Sequence, residues 1–117
     1  MNKRVTGSRY EIYAAAYLEE RGYRILEKNY RCRAGEVDLI GQNGRYLVFI
    51  EVKYRKDSRA GAPEEAVNRQ KQERPIRTAR WYLTVRGLAA DTPCRFDVVT
   101  VEGNEIRLIQ NAFGGWT

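Results

Sequence analysis

Gly35-Glu36-Val37-Asp38-Leu39-Ile40, then Gly41-Gln42-Asn43-Gly44, then Arg45-Tyr46-Leu47-Val48-Phe49-Ile50-Glu51-Val52-Lys53-Tyr54-Arg55 is the stretch whose reading decides the fold. Asn-Gly between two apolar runs predicts a β-hairpin with its turn over Gly41-Gln42-Asn43-Gly44, because both residues tolerate the positive φ of a tight turn. In the second strand Tyr46, Val48, Ile50 and Val52 point one way, while Leu47, Phe49, Glu51 and Lys53 point the other. A carboxylate and an amine therefore end one face of an otherwise apolar strand.

The loop length decides what they meet. With a two- or four-residue connection, or with Gly44-Arg45 as the turn, Asp38 shares a sheet face with Glu51 and Lys53, directly opposite Glu51 or one diagonal away. Such neighbours lie roughly 4.5–5.5 Å apart at Cβ when opposite and roughly 7–8 Å when diagonal, close enough for two carboxylates to share a divalent cation. An odd-length loop without a bulge sends Asp38 to the other face.

Working outward, Gly7 to Arg21 reads as a helix, with Thr6 or Ser8 as N-cap and Gly22 as its stop. Glu11, Ala14, Ala15 and Leu18 follow helical spacing, so Glu11 belongs to the apolar stripe. A carboxylate there costs free energy unless something pairs with it; the alternative is a first-turn Glu favoured by the helix dipole and wetted by solvent. Tyr23 to Arg33 reads as a strand with Tyr23, Ile25 and Glu27 on one face and Leu26 on the other. Arg31 and Arg33, before the hairpin, either hold a phosphate backbone or form a solvated charged edge.

Beyond the hairpin, Lys56 to Ala62 is a polar loop, and a helix should begin near Pro63. Pro75 is expected to break or kink it before Ile76, Ala79, Trp81, Tyr82 and Leu83 resume an apolar face up to Gly87. Basic residues at 69, 71, 74, 77 and 80 form a phosphate-facing ridge or a solvated helix face. Two strands follow, Cys94 to Val101 and Glu105 to Gln110, joined by a Glu102-Gly103-Asn104 turn; Asp97 is expected to make a structural hydrogen bond or salt bridge. Phe113 and Trp116 either fold back on the domain or fray. The resulting order, helix, three strands, helix or helix pair, two strands, describes a mixed α/β fold with a central sheet of about five strands.

Bulk numbers narrow the chemistry. The 117 residues, 43% hydrophobic and 31% charged, suit one soluble domain spanning residues 1–117. No apolar run nears the roughly 20 residues of a membrane-spanning helix, and the basic N-terminus lacks an apolar run behind it, so no secretion signal, no membrane and a cytoplasmic location are expected. Cys32 and Cys94 are unclustered and expected to be reduced. A net charge of +6, from 21 Lys and Arg against 15 Asp and Glu, makes nucleic acid the natural partner. The chain contains no histidine, which removes Ser-His-Asp and Cys-His nucleophiles and His-containing zinc sites. Catalysis must then run on carboxylates, lysine and metal. Asp38 and Glu51 suit Mg²⁺, which takes oxygen ligands from one or two carboxylates plus substrate phosphates, with the Val52 carbonyl as a further ligand. Lys53 can orient an attacking water or act as a point charge on the transition state.

Asp38 followed by Glu51-Val52-Lys53 resembles the signature of the PD-(D/E)XK nuclease superfamily. Gly7 through Glu11, Tyr17-Leu18, Gly22, Asn29-Tyr30-Arg31, Gly35 through Ile40 and Phe49 through Lys53 resemble the bacterial YraN family, related to archaeal Holliday-junction resolvases. The resemblance implies a restriction-endonuclease-like core, with strand order α-β-β-β-α-β-β, and a Mg²⁺-dependent endonuclease of DNA, branched DNA included, that leaves a 5′-phosphate. Mn²⁺ should substitute for Mg²⁺. It makes Glu11, Asp38, Glu51 and Lys53 the catalytic set, Asp38, Glu51 and Val52 the metal ligands, and a homodimer the form that cuts a junction symmetrically. Val37 replaces the nominal Pro before Asp38, and Pro75 interrupts the helix after the site; Gln70 and Lys71 stand where relatives place a supporting polar residue. Two other readings use the same residues: a nucleic-acid-binding module that keeps the fold without cutting, and an assembly protein whose basic face meets an acidic partner.

Overall fold

The computed structural model describes residues 3–55 and 69–112, with side chains over 9–54 and 75–112. Its elements are α1 (Lys3–Glu20), β1 (Arg24–Cys32), β2 (Gly35–Asn43), β3 (Tyr46–Arg55), α2 (Arg69–Val85), β4 (Cys94–Glu102) and β5 (Glu105–Ile109), in the order expected from the sequence. The Lys56–Ala62 loop, the helix start at Pro63 and the tail from Phe113 lie outside the described residues, as do the side chains of Gln70 and Lys71.

The strands form one sheet in the order β1-β2-β3-β4-β5. All neighbours are antiparallel except β3 and β4, which run parallel. A parallel pair requires a crossover, and the segment carrying α2 supplies it. Leu39, Val48, Ile50 and Val99 pack toward α1, against Ala14, Ala15 and Leu18. On the opposite face Ile40, Leu47, Phe49 and Phe96 pack toward Ala79, Tyr82 and Leu83 of α2. No helix among the described residues is long and apolar enough to cross a membrane.

Of the turns the sequence allows, the structure uses Gly44-Arg45 rather than Gly41 to Gly44. Asn43 pairs with Tyr46, so Gly44 and Arg45 alone make the turn, and Gly41 and Gln42 extend β2. Gly44 takes the positive φ of +60°, at the first central position. Gly41 serves close approach instead: a Cβ there would sit 3.0 Å from the Arg24 carbonyl oxygen of β1.

Helix α1 begins at Lys3, which puts Thr6 and Ser8 inside it rather than at its cap. Glu11 consequently lies beyond the first turn, where the N-terminal dipole has faded, and burial decides its behaviour. Gly22 ends the helix as expected: at φ +88° it lets its N–H donate to the Glu19 carbonyl at 3.1 Å while the Tyr23 N–H donates to that of Leu18 at 3.0 Å. Helix α2 runs through Pro75 without interruption. Proline removes one intrahelical hydrogen bond, but Ile76, Ala79, Tyr82 and Leu83 hold the flanking turns against the sheet.

β1 departs from simple alternation. A bulge between Ile25 and Glu27 leaves Leu26 without a partner and turns Glu27 away from Ile25. Glu27 then accepts hydrogen bonds from Tyr82 at 3.3 Å and Arg86 at 2.6 Å on the α2 side.

Candidate active site

The site is built where the sheet forks. The β2–β3 ladder ends at Leu39 and Ile50, whereas β3 stays paired with β4 as far as Arg55 and Glu102. Past Ile50, β3 has lost β2 as a partner, and its Val52 N–H donates instead to Asp38 Oδ2 at 2.8 Å. The N–H and C=O of one strand residue point to the same neighbour, so the Val52 carbonyl opens on the same gap.

Asp38 sits at a local break in both β1 and β2. Val37 and Ile40 pack on the α2 side and Leu39 on the α1 side, a pattern that strict alternation cannot produce. Across the ladder, the Lys28–Leu39 and Tyr30–Val37 pairs place Asn29 opposite Asp38. Asn29 has φ +54°, a left-handed conformation that asparagine tolerates better than most residues. The sequence offered two faces for Asp38; its carboxylate reaches sideways to the Val52 N–H of β3.

Glu11 comes to Asp38 from α1. The residue is 9% exposed, and its pKa is pushed up to about 7 by burial first, then by the charge of Asp38 and a hydrogen bond to it. Asp38 is also raised, chiefly by burial and further by the charges of Glu51 and Glu36, while the Val52 N–H and the Glu11 hydrogen bond oppose the rise. The interaction between the two raises Glu11 and lowers Asp38, so of the pair Glu11 holds a proton the more readily. Lys53 Nζ lies 3.2 Å from Glu51 Oε1. At the rim, Arg31 Nε faces Glu36 Oε2 at 3.4 Å, both side chains exposed.

Along the fork Glu11 thus meets Asp38, Asp38 meets the Val52 N–H and the charge of Glu51, and Glu51 meets Lys53. Among the described residues no three of the His, Cys, Asp and Glu side chains form a group that could hold a metal ion. The set does fit the smaller demand of Mg²⁺, one or two carboxylates with the remaining positions left to water and phosphate oxygens, and a cation would relieve the like charges that add to the effect of burial on Glu11 and Asp38. Sequence reasoning missed Asn29, whose signal was a turn-forming residue within a strand pattern. It also missed the Tyr10–Tyr54 stack, rings 4.2 Å apart, for which the sequence carries no signal.

The other buried polar cluster is structural, as expected of Asp97. Asp97 accepts from Tyr23 Oη at 2.6 Å, from Arg95 Nε at 2.9 Å and Nη2 at 2.8 Å, and from the Asn111 N–H at 2.9 Å. Burial, then this carboxylate, pushes the Tyr23 phenol up to about 12. Every buried side-chain nitrogen and oxygen among the described residues has a hydrogen-bond partner, so the cluster is complete without a ligand.

Residues 10–101 match the model of the uncharacterised protein family UPF0102. The chain belongs to that family. It is the YraN family that the sequence resembles. The UPF0102 protein of Lachnoclostridium phytofermentans is 54% identical over 116 residues, covering 99% of this chain and 98% of the relative. That of Symbiobacterium thermophilum is 50% identical over 118 residues, covering 97% and 98%, and that of Klebsiella pneumoniae subsp. pneumoniae 44% over 110 residues, covering 93% and 86%. Among solved structures, Archaeoglobus fulgidus Hjc, a Holliday junction resolvase from an archaeal hyperthermophile, superposes with a TM-score of 0.52 and 19% identity over 90% of this chain and 72% of that one. At that identity the likeness is one of fold, and it is the nuclease-like fold expected from the sequence.

Proposed function

We propose that this UPF0102 protein is a metal-dependent endonuclease that hydrolyses DNA phosphodiester bonds, branched DNA among them. The observation that carries the reading is the gathering of Glu11, Asp38, Glu51 and Lys53 at the fork, with Asp38 bonded to the Val52 N–H at 2.8 Å. The resolvase named above shares the fold, and the net charge of +6 suits a polyanionic substrate.

Asp38, Glu51 and the Val52 carbonyl would hold Mg²⁺, with Mn²⁺ able to replace it. Bound there, the ion would supply positive charge to the phosphoryl oxygens and lower the pKa of water. The rest falls to the chain's own groups. Lys53, leaving Glu51 or bridging from it, brings an ammonium to the phosphate and orients the attacking water. Glu11, titrating near neutrality, can take up or release a proton beside Asp38. The product would carry a 5′-phosphate. Symmetric cutting of a junction requires two such sites, hence a homodimer, and the expected place of work is the cytoplasm.

The test is nicking of a four-way junction and of a matched duplex with Mg²⁺ or Mn²⁺. Metal-dependent nicking that disappears in Asp38→Ala and Lys53→Ala supports the reading. Salt-sensitive DNA binding indifferent to metal and to Asp38→Ala, with no cleavage, would overturn it in favour of a binding module that keeps the fold. One observation favours that second reading: Lys53 already neutralises Glu51 at 3.2 Å.

A further inference from the structure

Tyr10 and Tyr54 stack at the mouth of the fork, with ring centroids 4.2 Å apart and planes 17° from parallel. Tyr10 immediately precedes Glu11 on α1, and Tyr54 immediately follows Lys53 on β3. Tyr54 is 46% exposed although one face of its ring is covered by Tyr10. This stretch of β3 is also the part that β2 no longer accompanies. A flat, partly wetted aromatic surface therefore lies between α1 and the free end of β3, next in sequence to two proposed catalytic residues.

We propose that this tyrosine pair is a shelf on which an unpaired base of the DNA substrate stacks, beside the nucleotide whose phosphodiester enters the fork. The inference rests on the nuclease reading and narrows its substrate. Every base has a π-face, so an aromatic surface binds bases with little regard to sequence. A base within continuous duplex is covered on both faces by its neighbours and has none to offer. DNA with an unstacked base, at a branch point or in a flap, does. The shelf thus selects for local disruption of the helix rather than for sequence. A stack that merely pinned α1 to β3 would contribute to stability and leave the DNA untouched.

The experiment uses the full chain in EDTA, so that nothing is cut, and a forked DNA carrying 2-aminopurine at the unpaired branch position. The wild type should quench the 2-aminopurine fluorescence on binding, as stacking does. Tyr54→Phe should retain the quenching. Tyr54→Leu should lose it and bind the fork roughly 5- to 100-fold more weakly, with affinity for a matched duplex changed by less than about twofold. Tyr54→Trp, which keeps a stacking surface whatever becomes of the leucine variant, should quench at least as strongly as the wild type. Binding of the fork without quenching by the wild type, or unchanged quenching and affinity in Tyr54→Leu, overturns the shelf and leaves the nuclease reading standing. Failure of the wild type to bind any DNA removes both.

Discussion

Raising the pH should destabilise this protein across a window in which almost nothing else in it titrates. Glu11 moves from 4.5 in the unfolded chain to about 7 in the folded one, through burial first and Asp38 second. Between those values the folded chain holds a proton that the unfolded chain has released, so this contribution to stability is complete below pH 4.5 and is lost as pH rises through about 7. At ~1.4 kcal/mol per pH unit the ceiling is about 3 kcal/mol, and because Asp38 shares the proton a working figure is about 2 kcal/mol, or ~8 °C in melting temperature for a domain of this size. The chain has no histidine, which leaves the window clear. Thermal unfolding followed by circular dichroism at about pH 5.5 and about pH 8 measures the loss. Glu11→Gln is neutral at both and can still donate to Asp38, so its curve should be flat and it should be the more stable protein at the higher pH. A Glu11→Gln variant that weakens with pH as steeply as the wild type would refute the reasoning.

Asp97→Asn should cost about 3–5 kcal/mol in urea unfolding, because it removes the charge facing an Arg95 side chain only 12% exposed; a cost below about 1 kcal/mol would contradict the network. Asn29→Gly should fold with little change, whereas Asn29→Val, forced into left-handed φ, should lose about 1–2 kcal/mol and slow cleavage by moving Asp38. Lys53→Met should abolish cleavage while Mn²⁺ binding measured by calorimetry is kept or tightened, since Lys53 competes for Glu51 at 3.2 Å; equal loss of both would assign Lys53 to structure.

Where side chains alternate along an unbroken strand, the fold was legible. Tyr46 through Val52 reads correctly because each residue needs only its neighbour's parity, and the Gly22 stop because a left-handed helix end favours glycine. Asp38 was legible as a residue but not as a direction. Its aim depends on Asn29, which lies in another strand, and pairing between strands is invisible to local pattern. Glu27 went to the wrong face for the same reason, a bulge at Leu26 that no composition signal marks. Pro75 does not break α2 because the packing of Ile76 and Ala79 on the sheet outweighs one missing hydrogen bond, although local propensity opposes helix there.

β1, with its bulge at Leu26 and its left-handed Asn29, forms one margin of the sheet. A strand from another molecule needs an unbroken row of outward amides and carbonyls to dock, and these two kinks interrupt that row. The other margin, β5, is five residues long with Glu105 and Arg107 exposed, short and charged in the way that discourages templated growth. Copies of this protein that associate should do so through helix surfaces, and its sheet should resist seeding of fibrils.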